Sequence, residues 1–316
     1  MSSSRLPPRG MDGGRGEVTD RLGSTDFIDP RGNLRADCSH CQGLCCVAPA
    51  FARSADFAID KPAARACPHL GSDSRCGIHA DLRKKGFPGC IVFDCFGAGQ
   101  QVVQVTFSGQ DWRHAPDTAA SMFASFNVIR QVMELRWYLA EALESLPPGP
   151  LRAEVIEARV EAERLVDAPA CDLEQLDMAA YRARSGQLLS SVSDALREDV
   201  PGRGRDRVGE DLTGAKLRGA KFVGVSLRGA YLLGADLRDA DLTKTDLLGA
   251  DLRAADVRGA RLADSLFLTQ PQLAATVGDS RTSIPKWLSR PTHWSRTQPL
   301  LLRRARKDQR RPAAGD

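Results

Sequence analysis

The feature that most constrains this chain is a five-residue repeat that runs without interruption from 210 to 269. Written in fives, it reads EDLTG AKLRG AKFVG VSLRG AYLLG ADLRD ADLTK TDLLG ADLRA ADVRG ARLAD SLFLT, and its first position is mostly Ala. A period of five matches neither the roughly 3.6-residue period of a helix nor the two-residue alternation of a strand. The third position is a large apolar residue in all twelve units: Leu212, Leu217, Phe222, Leu227, Leu232, Leu237, Leu242, Leu247, Leu252, Val257, Leu262 and Phe267.

This pattern resembles A(D/N)Lxx, the signature of the pentapeptide-repeat family, over all of the units. The resemblance implies a right-handed quadrilateral β-helix with four units in each coil. The third residue would fill the interior, the small first residue would fit the corner beside it, and the other positions would face solvent. Three coils at a strand spacing of about 4.8 Å make a rod only about 15 Å tall. Stacking of interior residues would drive its folding, as in other solenoids.

The charges of the repeats bear on what they bind. Some members of the family protect DNA gyrase by resembling DNA, as long acidic rods. Here the repeats carry nine acidic and nine basic side chains, so their net charge is zero. A DNA-mimic protector of DNA gyrase is therefore disfavoured. Residues twenty apart stack on one face, which places Arg218, Arg238 and Arg258 in a ladder suited to an anionic partner. We nevertheless expect a self-neutralised face, because carboxylates lie beside the ladder: Asp236, Asp239 and Asp256. The solenoid as a whole is expected to dock a protein partner.

A second feature is the concentration of eight of the nine cysteines within residues 38–95. The chain has no apolar run near 18 residues, and its N-terminus has no apolar segment of a secretory signal, so we expect a cytoplasmic protein. Thiols stay reduced in the cytoplasm, and a dense cluster of them therefore indicates metal rather than disulfides. The ninth, Cys171, lies alone in a helical segment and is expected to be a small core residue. The eight predicted metal ligands are Cys38, Cys41, Cys45, Cys46, Cys67, Cys76, Cys90 and Cys95.

The spacing of these cysteines is C-x2-C-x3-C-C, then C-x8-C, then C-x4-C. C-x2-C places two thiolates on one metal with little strain. The adjacent Cys45 and Cys46 are poorly placed to form a disulfide with each other but are well suited to be metal ligands. They could bind two neighbouring metals, among other arrangements. Eight thiolates suffice for two four-cysteine zinc sites, a shared binuclear site or iron–sulfur clusters. The expected cofactor is therefore zinc or iron, since soft thiolates exclude magnesium and calcium.

The order of these motifs also resembles the bacterial zinc- or iron-chelating family named for its CxxCxxCC signature. The matching pieces, besides the first four cysteines, are Cys67 with Leu70, Cys76 with Ile78, and Pro88 with Cys90. The chain departs from that family in one extra residue before Cys45, in a histidine where the family has tyrosine, and in Phe-Pro for Arg-Pro. Three histidines near the cysteines are alternative ligands in place of one thiolate: His40, His69 and His79.

The remaining segments indicate a mixed α and β fold: a metal-stapled Cys-rich domain, a helical middle and the C-terminal solenoid. Val103, Val105 and Phe107 alternate, which predicts a short half-buried strand. FGAGQ at 96–100 is Gly-rich but lacks the residues that a phosphate loop needs. The predicted boundaries are 1–30 disordered, 31–110 Cys-rich, 115–199 helical, 200–209 linker, 210–269 repeats, 270–295 capping helix and tail, and 296–316 basic disordered tail.

Three helices are expected in the middle region. The first begins with Asp117 or Thr118 as its N-cap and ends before LPPGP at 146–150. The second spans roughly 151–167, and the third spans roughly 172–199.

A capped helix is expected to close the repeats. Thr269 would be its N-cap and Gln272 would complete a capping box. Trp287 and Trp294 would then pin the irregular segment that follows onto the body of the protein.

Two functions from different classes follow from these features. The first is a metal-binding interaction scaffold with a structural or redox-responsive site. The second is a metalloenzyme that acts on a peptide or thiol substrate between the cysteine region and the helices. No Ser–His–acid set, Walker loop or paired-carboxylate motif supports catalysis, so enzyme activity stays open. No membrane partner is expected, and nucleic acid is expected at most at the basic residues 303–311.

Overall fold

The computed structural model describes residues 31–295. The disorder expected for 1–30 and the basic tail expected for 296–316 lie outside these residues. The described chain folds as a Cys-rich region, a group of helices and a solenoid, taken in that order. Within it, no helix is both long and apolar enough to cross a membrane.

The Cys-rich region is built from short helical turns and isolated bridges. Two antiparallel bridges, Phe51 with Lys61 and Leu70 with Cys76, tie its loops together. Helix α1 spans Pro88–Ile91 and helix α2 spans Ala98–Gln101. The 3₁₀ turns are Gly32–Leu34, Cys38–His40, Leu44–Cys46 and His79–Asp81.

The strand predicted near Val103 is wrong. Helix α2 continues directly into a π-helix at Val102–Thr106, and the Val102 N–H donates to the carbonyls of Ala98 and Gly99. Val102 and its neighbour Val103 are both buried, which a helical turn allows and an alternating strand does not. Val105, expected to share a face with Val103, is instead 53% exposed.

Four helices form the predicted helical middle: α3 at Pro116–Ser145, α4 at Pro150–Val166, α5 at Ala170–Gln175 and α6 at Met178–Arg197. The expected N-cap of α3 is wrong, since the helix begins at Pro116, whose fixed φ suits a first helical position. Its end before LPPGP is confirmed. The third expected helix is divided into α5 and α6, because Asp177 caps the N–H groups of Ala179 and Ala180.

Parallel bridges between residues twenty apart define the solenoid. They recur at four places in each coil, for example Asp211 with Tyr231 and Lys216 with Asp236. The described residues contain isolated bridges rather than extended strands, because the chain turns after every five residues. Eleven of the twelve third-position side chains are buried as expected, with Leu227, Leu232 and Leu237 at 0% exposure, and Leu217 in the first coil is partly buried.

The hydrogen-bonded stack extends beyond the twelve units at both ends. The N–H groups of Arg207 and Gly209 donate to the carbonyls of Ser226 and Arg228 in the first full coil. Helix α7, Gln270–Ala274, follows the repeats, and its predicted capping box is confirmed. Val277 and Ser283 then pair with Asp256 and Arg261, which begins a fourth coil.

Helices cover one of the four solenoid faces. Ser226, Asp246 and Leu266, at outward positions twenty apart, are 3%, 0% and 3% exposed. The Ser193 hydroxyl of α6 donates to Asp246 over 2.7 Å. On α3, Glu141 accepts the N–H of Phe267 over 2.6 Å. The solenoid and the helices therefore share one packed interface.

The exposed arginine ladder is self-neutralised, as expected. Arg218 donates to Asp239, while Arg238 and Arg258 each bind the aspartate two residues before them. Surface ion pairs of this kind contribute little stability. Because each ladder arginine is paired with an aspartate, the ladder presents no row of unpaired cations.

Candidate metal centre

The first cysteines lie on tight turns held by Asp37. Asp37 accepts the N–H of Ser39 over 2.9 Å and contacts His40 Nδ1 over 2.7 Å. The hydrogen bonds from Ser39 and His40 lower the pKa of Asp37 to about 2. His40, an alternative ligand, is therefore engaged with a carboxylate in this structure.

Two glycines of FGAGQ serve the packing of these cysteines. Gly97 has φ +83° and precedes α2, a conformation that favours glycine. Gly99 leaves room for the sulfur of Cys41, because a Cβ on Gly99 would collide with Cys41 Sγ. The Ala98 N–H donates to the carbonyl of Cys95 over 2.8 Å. Helix α2 thus brings Cys95 and Cys41 together across more than fifty residues of sequence.

Backbone bonds gather a second set of cysteines. The N–H of Cys67 donates to the carbonyl of Cys46 over 2.9 Å. Cys67 in turn accepts the N–H of Leu70, and Leu70 forms the bridge with Cys76. The turn at Cys46, the segment at Cys67 and the segment at Cys76 are therefore adjacent.

The thiols of one set influence one another's ionisation. Burial raises the pKa of Cys41 to about 11, and the charges of Cys95 and Cys38 add to the rise. The pKa of Cys45 is raised well above its ordinary value by the hydrogen bond it makes with Cys46, by burial, and then by the charges of Cys46, Cys41 and Cys95. We call this set the first thiol group: Cys38, Cys41, Cys45 and Cys95.

The other cysteines behave as a second set. Burial raises the pKa of Cys90 to about 11, and the charges of Cys46, Cys67 and Cys76 add to it. Burial also raises the pKa of Cys76, with further contributions from Cys46 and Cys67. We call this set the second thiol group: Cys46, Cys67, Cys76 and Cys90. The two groups meet at Cys45 and Cys46, whose sulfurs are 4.0 Å apart.

Lys61 is a site residue that sequence reasoning missed. It is 3% exposed, and its Nζ donates to the carbonyls of Val47, Pro62 and Arg65. Its charge helps to lower the pKa of Cys46, second to the hydrogen bond from Cys45. The sequence offered one signal: lysine is rare in this chain, with eight among 44 basic residues, so a lysine between the cysteine motifs stands out.

The structure does not close either group around one point. Among residues 31–295, no three His, Cys, Asp or Glu side chains converge in a way that could hold a metal ion. The number, softness and burial of the thiols nevertheless fit zinc or iron. The predicted ligand set therefore stays a prediction, and the two thiol groups are our interpretation of its arrangement.

Cys171, His69 and His79 were the remaining candidates, and the His79 N–H donates to the carbonyl of Cys76 over 3.2 Å. Cys171 was expected in the core and is exposed on α5, because the short helix turns it to solvent. His69 packs edge-on against Phe87, with ring centroids 5.2 Å apart. His79 is exposed in its 3₁₀ turn.

A cavity of about 540 Å³ lies beside the first thiol group. Asp37, His40, Gln104, Arg136 and Glu163 are among the residues that line it. Sequence reasoning missed it because its walls come from the cysteine region, the π-helix, α3 and α4. No local motif joins segments so far apart in the chain.

Comparisons with known proteins give the chain's relatives. The family model for pentapeptide repeats matches eight copies at residues 211–249 and 230–267. The uncharacterized protein YybG of Bacillus subtilis (strain 168) is 51% identical over 270 residues, which is 83% of this chain and 95% of YybG.

Two solved pentapeptide repeat proteins are also similar to part of the chain. A pentapeptide repeat protein from the thylakoid lumen of Arabidopsis thaliana is 34% identical over 28% of this chain and 60% of its own, with a TM-score of 0.13. HetL, a pentapeptide repeat protein involved in heterocyst differentiation regulation from Nostoc sp. strain PCC 7120, is 29% identical over 26% of this chain and 47% of its own, also with a TM-score of 0.13. The chain thus spans about half to three fifths of these two structures. The hydrogen bonds and bridges between residues twenty apart define its solenoid. On the evidence of YybG and the repeat model, the chain belongs to one family with YybG, and its C-terminal part is a pentapeptide-repeat domain.

Proposed function

We propose that this protein is a cytoplasmic metal-binding scaffold, in which zinc or iron held by thiolates stabilises a Cys-rich module and the repeat solenoid docks a protein partner. The observation that carries the proposal is that the fold gathers the clustered cysteines: the Cys67 N–H donates to the carbonyl of Cys46, Leu70 bridges to Cys76, and Gly99 leaves room for Cys41. We interpret the eight thiols as two groups of four. Four thiolates are a complete ligand set for a structural zinc ion, or for one iron–sulfur cluster. Metal binding would then supply folding energy to a region that has little regular secondary structure.

The buried Lys61 supports this assignment. Two four-thiolate centres concentrate negative charge, and a cation held beside Cys46 and Cys67 offsets part of it. Reduced thiols persist in the cytoplasm, which is the compartment that suits such a centre.

The docking role rests on the solenoid faces that the helices leave free. The Arg218 face carries paired charges and therefore presents a polar, neutral surface. Such a surface suits a protein partner better than nucleic acid, whose binding depends on unpaired cations. We also propose that the coil is right-handed, as the resemblance to the pentapeptide-repeat family implies.

Elemental analysis of protein purified without oxygen, together with its absorption spectrum, tests the metal assignment. We expect two zinc ions per chain in a colourless sample, or brown protein if iron–sulfur clusters are bound. Cys41→Ser and Cys76→Ser, one from each thiol group, should each lose the metal of its own group. Cys171→Ser is the matched control and should keep both. Absence of bound metal in the unaltered protein would refute the proposal.

A metalloenzyme is the second candidate, favoured by the cavity beside the first thiol group. A structural site is closed by four protein ligands, whereas a catalytic site keeps a position open. Cobalt substitution distinguishes the two. A visible spectrum that changes when a small thiol is added indicates an open position, and an unchanged spectrum indicates a closed structural site.

A further inference from the structure

The cavity beside the first thiol group has a half-buried cation, Arg136, that forms no direct ion pair with any described residue, although the charges of Glu163 and Asp167 partly oppose the lowering of its pKa by burial. Arg136 of α3 lines it, and the hydrogen bond its guanidinium makes within the described chain goes to the sulfur of Met133, over 3.2 Å. No carboxylate of residues 31–295 lies within ion-pairing distance of Arg136. A guanidinium carries five N–H donors in a planar fork that matches a carboxylate. A sulfur acceptor leaves most of these donors unused.

The carboxylates of the cavity differ in how far they are already satisfied. Glu163 is paired with Arg159 over 2.9 Å, and Asp37 is bound to His40. Asp167 is exposed and accepts only one side-chain hydrogen bond, from Gln101 over 3.2 Å. Asp167 is therefore the lining carboxylate with the most unused acceptor capacity.

The wall between these charges is partly apolar and held in place. Val105, largely exposed, and the buried Val166 line the same cavity. Gln104 of the π-helix donates to the carbonyl of His40 over 3.2 Å, which fixes the π-helix against the cysteine turn. π-helical turns occur often at functional sites. Here the turn places Gln101, Gln104 and Val105 on one side of the cavity.

We propose that this cavity binds a small zwitterion, an amino acid or a short peptide, with its carboxylate on Arg136 and its ammonium group on Asp167. A volume of about 540 Å³ lies within the range of small-molecule sites. A multiply charged phosphate fits less well, because three carboxylates, Asp37, Glu163 and Asp167, line the cavity together with only one guanidinium. The site does not require metal, so its test is separate from that of the metal centre.

Isothermal titration calorimetry on the full-length protein tests the proposal with five ligands. They are L-alanine, alanyl-alanine, N-acetyl-alanyl-alanine, alanyl-alaninamide and inorganic phosphate. A ligand with both charges should bind more tightly than either dipeptide derivative that lacks one charge, and more tightly than phosphate. The tighter of L-alanine and alanyl-alanine identifies the site as one for free amino acids or for peptides.

Variants at the two ends of the cavity assign the contacts. Arg136→Gln should weaken binding of the zwitterion at least about tenfold. Asp167→Asn, a change on an exposed side chain that the fold tolerates, should weaken it while leaving the ammonium-free N-acetyl derivative unaffected. Arg130→Gln is the control on the same helix, outside the cavity. Metal content is measured in every variant, so loss of the metal centre is distinguished from loss of this site.

Three outcomes would overturn the proposal. They are phosphate as the tightest ligand, no binding of either zwitterion at millimolar concentration, and equal affinities for Arg136→Gln and Arg130→Gln.

Discussion

Glu141 is a carboxyl group held away from water at the contact between α3 and the solenoid. It is 2% exposed, its Oε1 accepts the Phe267 N–H, and its Oε2 has no hydrogen-bond partner. Burial raises its pKa from 4.5 to about 8. Arg31 opposes the rise, while Asp246 and Glu144 add to it. The folded protein therefore favours the protonated form of this side chain at neutral pH.

This raised pKa sets the direction of a pH dependence. Below pH 4.5 Glu141 is protonated in both the folded and the unfolded state, so it adds no pH dependence there. Between pH 4.5 and about 8 the folded state binds more protons, so the free energy of unfolding falls as pH rises, by up to about 1.4 kcal/mol per unit. We expect Glu141→Gln to remove this slope and to stabilise the protein more at pH 9 than at pH 5. Urea unfolding at pH 5, 7 and 9 measures it.

The control for this experiment is Glu157→Gln, on the exposed side of α4. It should retain the slope of the unaltered protein. A Glu141→Gln variant with that same slope would show that Glu141 is charged in the folded state.

At the scale of the element, the first ten repeat units each have a left-handed residue at the fifth position. Gly229 has φ +63°, and the same position is occupied by Ala254 at φ +57° and Lys244 at φ +55°. The first N–H of the next unit closes the turn, as the Ala230 N–H does by donating to Leu227 over 3.0 Å. A side chain in this backbone region costs about 1–2 kcal/mol. The non-glycine units are therefore strained.

A reciprocal exchange tests this strain. We expect Ala254→Gly to raise the free energy of unfolding by about 1 kcal/mol and Gly229→Ala to lower it by about the same amount. Gly229 has open space around its Cβ position, so neighbouring atoms do not contribute to the cost. Chemical denaturation measures both. Equal stabilities of the two variants would contradict the account.

Elements whose signals are local were predictable. The capping box of α7 and the end of α3 needed only neighbouring residues, and both are confirmed. The π-helix at Val102–Thr106 was not predictable from alternation, because three apolar residues at period two also fit a helical turn whose burial is decided elsewhere. The N-cap of α3 was misplaced because Pro116 starts a helix without a capping side chain.

At the scale of the whole molecule, Asp246 joins the helices to the solenoid. It is fully buried, and it accepts hydrogen bonds from Ser193 of α6, from Arg228 and from the Leu248 N–H. The equivalent position in the first unit, Asp211, is exposed and bonds only the Thr213 N–H that follows it. One position of the repeat thus has two environments, according to what covers the face.

These two aspartates provide a matched test of the interface. We expect Asp246→Ala to lower the free energy of unfolding by about 3–5 kcal/mol, because it leaves Arg228 without its buried partner. Asp211→Ala should cost no more than about 1 kcal/mol. Urea unfolding compares them, and a similar cost at both positions would mean that the helices do not seal this face.

The sequence by itself determined the five-residue repeat, and the resemblance of that repeat to the pentapeptide pattern implied the solenoid and its buried third positions. It also determined which thiols are clustered and that the middle is helical. Only the tertiary structure decided which cysteines are neighbours, that Lys61 lies beside Cys46, and that Arg136 faces a cavity. The physical reason is that periodicity and capping act over a few residues. The grouping of thiols and the charges of a cavity depend instead on loops and helices that meet only after the chain has packed.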